Sequence, residues 1–213
     1  MDNTMKESYL SQRRVIGWLG IFLPVLCVAS EVFIEDKPDG WWYSISATYH
    51  FSPVLTMMMS CTALFLMTYK GYDTGDRIIN CISGILALCV VLFPCNTEFL
   101  DQETKIGLFQ LLPTRSHIVH CVSAAFLFVS FAVNILVQFT KGNHRKQNII
   151  YKTCGWLMVV CMVLYVLTEV MKIFPGYSTI FFEGVLLLLF GTAWLVKGKF
   201  IALEDDEAET ESK

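Results

Sequence analysis

Six stretches of this chain are apolar and long enough, or nearly so, to cross a hydrocarbon core of about 30 Å as helices: residues 15–34, 53–69, 78–94, 118–139, 149–171 and 179–196. Lipid offers no partners to backbone N–H and C=O groups, so each crossing segment must pair its own, and repeated crossings of this kind build a helical bundle. The composition agrees. With 54% of 213 residues hydrophobic and 16% charged, the chain is too apolar for an ordinary soluble domain. The second and third stretches are short, and their ends rely on flanking aromatic and polar residues.

Basic residues near span ends stay on the cytoplasmic side. With the amino terminus inside, Lys6, Arg13, Arg14, Lys70, Arg77, Lys141, Arg145, Lys146, Lys152, Lys197 and Lys199 form an inner set of 11, against an outer set of 4, Lys37, Lys105, Arg115 and Lys172. The expectation is an all-α bundle of six transmembrane helices over residues 1–203, with both termini cytoplasmic. Residues 204–213 hold six acidic side chains and Lys213, a net −5, so removing them takes the formal charge from −3 to +2. Such a run reads as a solvated, disordered tail. Arg13 and Arg14 precede the first apolar run, and Val28-Ala29-Ser30 resembles a cleavage site, but its length of about twenty residues and Pro24 mark a retained first helix. No basic stripe with interleaved aromatics lies outside the spans, which excludes nucleic-acid binding as a reading.

Seven of the eight cysteines fall within predicted spans and none forms a Cys-x-x-Cys pair, so they read as packing residues. Cys95 follows Pro94 at an outer helix end on the same side as Cys121, where one bridge is conceivable. Asn134 reads as a lone interhelical hydrogen bonder, and residues 69–77 as a tight inner turn.

Ionisable groups are costly in a bilayer, roughly 2.5–3.5 kcal/mol on insertion scales, and mark candidate sites. Glu31, His50, His117, His120, Glu169 and Glu183 all lie near predicted outer helix ends. His117 and His120 are three residues apart and share a helix face. Zinc takes three His or carboxylate ligands and keeps a fourth position for water, so His50, His117 and His120 with one glutamate match that inventory. The same groups can instead face headgroups or bond one another. The loop 35–52 places Trp41, Trp42 and Tyr43 at the interface, and residues 106–112 suit either a short interfacial helix or a surface anchor.

At Ser46-Ala47-Thr48-Tyr49-His50 the chain resembles the Ser-x-x-x-His motif of the membrane hydrolase superfamily that includes alkaline ceramidases, progestin and adiponectin receptors and hemolysin-III-like proteins. That resemblance implies a zinc-dependent hydrolase of a lipid or amphiphile, with Ser46 as a site hydroxyl and His50 as a metal ligand. It covers five residues, and the family's seven spans, third-helix Asp and His-x-x-x-His pair are missing here. A broader likeness, from Ser44-Ile45-Ser46 through Gly71-Tyr72-Asp73 to Phe93-Pro94, is to bacterial multi-span proteins, which implies a bacterial plasma membrane and no particular activity. Three classes follow: a hydrolase with Glu31, Glu169 or Glu183 as general base beside Ser46, a non-catalytic protein that binds membrane lipids or an amphiphile, and a small proton or cation transporter.

Overall fold

The computed structural model describes residues 3–35, 41–174 and 176–201. The tail at 204–213 and Lys37 lie outside the described residues. Within them the fold is all-α. Six α-helices occur: α1 (Asn3–Ser30), α2 (Val54–Thr68), α3 (Thr74–Leu92), α4 (Pro113–Val133), α5 (Arg145–Met171) and α6 (Ser178–Lys197). Five are long and apolar enough to cross a membrane; α2, at 15 residues, is the shorter apolar helix. At 1.5 Å per residue α2 covers about 22 Å, and a 3-10 turn at Ser46–His50 packs against it.

Local chemistry sets the boundaries. The Asp73 carboxylate accepts from Asp76 N at 2.8 Å and caps α3. Pro113 opens α4, where a missing N–H costs nothing. From Asn134 to Gln138 the backbone widens into a π-helix before a 3-10 turn at Phe139–Lys141. The first helix begins well before residue 15: its polar opening turns continue the helix, and Gln12 Nε2 donates to Phe65 O of α2 at 3.0 Å. Residues 106–112 form no helix. Ile106 and Leu111 exchange two backbone hydrogen bonds of 2.8 and 3.1 Å around a tight turn, because Gly107 and Gln110 take positive φ.

Consecutive helices pack as neighbours, and α6 returns to lie against α1, closing a ring. That closure depends on glycine. A Cβ at Gly191 would stand 2.7 Å from Gly17 O, and one at Gly20 would stand 3.0 Å from the Gly191 Cα, so the two backbones touch where side chains would hold them apart. The interior is aromatic: Phe131 stacks on Phe190 with centroids 3.9 Å apart, and buried Trp194 meets Tyr69 and Phe139 edge-on.

Polar side chains concentrate along the α3–α4 seam. Ser116, His120, Ser123, Ser130 and Asn134 are buried on one face of α4 and its π-helical extension. Ser130 shares a 2.8 Å hydrogen bond with Ser83, and Asn134 Nδ2 donates to Asn80 Oδ1 at 2.9 Å. Such bonds each contribute about 0.6 kcal/mol between membrane helices and fix their register.

Candidate functional site

Ring topology brings the end of α1, the loop before α2, the end of α3 and the starts of α4 and α6 to one end of the bundle. There Glu183, one and a half turns into α6, projects at the segment Ser44–Ser46. Its Oε2 accepts from Ser44 Oγ at 2.9 Å and Ile45 N at 2.7 Å, and its Oε1 accepts from Ser46 Oγ at 3.0 Å. The carboxylate therefore caps the 3-10 turn Ser46–His50 from a different helix, doing in three dimensions what a cap residue does locally. Thr48 Oγ1 returns to Ile45 O at 2.7 Å. Glu31 is fully buried at the end of α1, and both it and Glu183 lie within electrostatic range of Cys27.

A second group clasps the chain where α3 ends. Phe93 leaves the helix and Pro94 cannot continue it, so the carbonyls of the last turn and the residues beyond lack helical partners. Side chains supply them. His120 Nδ1 lies 2.9 Å from Phe93 O and 3.1 Å from Val90 O, Ser116 Oγ donates to Pro94 O at 2.7 Å, and His50 Nε2 lies 2.9 Å from Cys95 O. Tyr43 OH donates to Asn96 O at 2.7 Å, while Asn96 N donates to His117 Nδ1 at 3.2 Å. This network assigns the ring protons: Nδ1–H on His120, Nε2–H on His50 and a bare Nδ1 on His117.

The three imidazoles thus gather around one strip of backbone, each turned to a different atom of it. Among the described residues no three His, Cys, Asp or Glu side chains are placed to hold one metal ion. Each backbone contact uses one ring nitrogen, Nδ1 of His117 and His120 and Nε2 of His50. Glu169 stands apart: exposed in the last turn of α5, it accepts from Ser178 Oγ and ties α5 to α6. Cys95 is buried and its thiol is pushed up to about 12 by burial, so it stays protonated; all eight cysteines are free.

Burial holds the His50 imidazole below its ordinary value of 6.5. The folded state therefore binds a proton less readily than the unfolded chain, and stability is full above pH 6.5 and declines as pH falls below it. A fall in melting temperature between pH 7.5 and pH 5 is expected, and it should shrink in His50→Gln, whose amide keeps a donor for Cys95 O. An unchanged pH slope in that variant would assign the acid sensitivity elsewhere.

The opposite end of the bundle carries a cluster that the span pattern does not reveal. Arg13, 7% exposed, donates from Nε to Tyr69 OH at 2.9 Å and from Nη1 to Tyr72 OH at 3.0 Å, and lies over the Tyr72 ring. Lys197, also 7% exposed, sits 4.5 Å from the ring centres of both Tyr72 and Phe139. Buried Asp76 accepts from Tyr72 N at 3.0 Å and Asn80 Nδ2 at 2.8 Å. The spacing of Asp76, Asn80 and Ser83 on one face of α3 is the signal by which the sequence could have disclosed it. No family model matches the chain, nor does any curated protein or solved structure.

Proposed function

We propose that the protein is a multi-pass integral membrane protein that binds a lipid or other amphiphile without turning it over. In this reading all six helices cross the membrane, α2 by drawing its short ends into the interface, both termini are cytoplasmic, and the membrane is a bacterial plasma membrane. The observation that carries it is a groove of about 280 Å³ between α3 and α4, lined by Ile82, Leu86, Phe126, Val129 and Val133, with Ser130 its one polar lining residue. A groove of this chemistry suits an acyl chain. The polar groups at the histidine end support the same reading, because they are engaged in holding backbone. Native mass spectrometry of detergent-purified protein tests it. Val129→Trp fills the groove and should lose lipid that the wild type retains, with its melting temperature within a few degrees of wild type. Equal retention by the variant would refute the binding reading.

One contact favours a second reading. Ser46 Oγ lies 3.0 Å from Glu183 Oε1, the juxtaposition of a hydroxyl and a carboxylate expected of a hydrolase related to the superfamily that the Ser-x-x-x-His motif resembles. Labelling of Ser46 by a fluorophosphonate, abolished in Ser46→Ala, would support it. Its zinc is tested by elemental analysis of wild type, His117→Ala and His120→Ala. Near-stoichiometric metal lost in both variants would move the conclusion to the hydrolase.

A further inference from the structure

The start of α5 carries a feature that neither reading uses. A cavity of about 530 Å³ is lined by Asn143, Arg145, Asn148, Ile149 and Lys152. Arg145, Asn148, Ile149 and Lys152 occupy positions i, i+3, i+4 and i+7, so one helix face presents two cations with an amide and an apolar side chain between them. Lys141, close by in the chain, is held by Asp73 at 2.6 Å, the one ion pair among the described residues. Among the described residues neither Arg145 nor Lys152 is paired with a carboxylate, and both are exposed. Beyond Lys152 the same face continues with exposed Trp156, Val160 and Val163.

The order along this face, two exposed cations and then an apolar track, matches the order of groups in an anionic phospholipid: a phosphate, then its chains. Arg offers a planar fork to phosphate oxygens and Lys a point charge, two ways of holding the same group. In the orientation proposed above this is the inner side, where a basic cavity beside a membrane helix holds anionic headgroups. We propose that Arg145 and Lys152 bind the phosphate of an anionic phospholipid, with its acyl chains lying along Ile149, Trp156 and Val160.

The test titrates phosphatidylglycerol onto delipidated protein in detergent and counts bound lipid by native mass spectrometry. The double variant Arg145→Gln/Lys152→Gln is compared with Lys70→Gln/Arg77→Gln, which removes the same charge from exposed positions at the same end of the bundle. Size-exclusion chromatography establishes that both are folded. The cavity variant should weaken phosphatidylglycerol binding on the order of tenfold and the control less than about twofold, with phosphatidylcholine unaffected in either. Equal losses in the two variants would overturn the site, since general surface charge would then explain the binding. Inorganic phosphate at millimolar concentration should not displace the lipid. Displacement would identify a free phosphate site and overturn the assignment to lipid.

Discussion

Replacing Glu183 with alanine should destabilise the protein by about 3 kcal/mol or more and release the segment around Ser46. The carboxylate accepts three hydrogen bonds, from Ser44 Oγ, Ile45 N and Ser46 Oγ. Bonds to a charged group contribute about 1.5–3 kcal/mol each, though not additively, and a buried donor left unmatched costs about 1–3 kcal/mol. Ser44 and Ser46 are both buried, so water cannot readily take the place of the lost acceptor. Thermal unfolding followed by tryptophan fluorescence reads the stability, and limited proteolysis between residues 44 and 50 reads the local release. Glu183→Gln, which keeps one acceptor oxygen, should fall between the two. A melting temperature unchanged in Glu183→Ala would mean that this carboxylate does not hold the loop, and would return Glu183 to the list of groups free for chemistry.

A comparable loss is expected from Gly191→Val, by a different mechanism. The added Cβ would meet Gly17 O at 2.7 Å and Ile21 N at 2.9 Å, both backbone atoms of α1 that no rotamer change can move. The helices must separate, which undoes the contact that closes the ring. Overpacking in a well-packed interior costs about 1–3 kcal/mol, and a clash with backbone on both sides places this variant at the upper end or beyond. Gly184 in the same helix is the control: nothing lies within 4 Å of its added Cβ. Gly184→Ala should leave stability unchanged or raise it by up to about 1 kcal/mol through helix propensity. If the two substitutions were equally harmful, helix propensity or insertion, and not the α1–α6 crossing, would be limiting.

These two residues show how differently the sequence speaks about fold and site. The fold class was legible because hydropathy over twenty residues is a strong, local signal, and pairing backbone groups in lipid leaves little alternative to helices. Helix starts were less legible. Charge and polarity mark where a span should leave the membrane, whereas α1 continues as a helix through its polar first turns and α4 begins at Pro113 before its apolar run. Residues 106–112 look helical by their apolar content, but the left-handed backbone at Gly107 and Gln110 favours a turn.

The candidate site was legible as an inventory. Glu31, His50, His117, His120 and Glu183 do gather at one end of the bundle, as depth along the spans suggested, while exposed Glu169 accepts from buried Ser178. Their partners were not legible. His50 and His120 turn to the carbonyls around Pro94 and His117 to Asn96 N, a demand created by the end of α3 and met by residues from the loop before α2 and from α4. Likewise Arg13 and Lys197, 184 positions apart, meet because α6 closes on α1, where Arg13 Nη1 reaches Lys197 O. By itself the sequence determined that this is a helical membrane protein and which polar groups share a depth. Which atoms those groups satisfy was decided only by tertiary structure, because a hydrogen bond is set to a few tenths of an ångström and a hydropathy pattern resolves no finer than a helix turn.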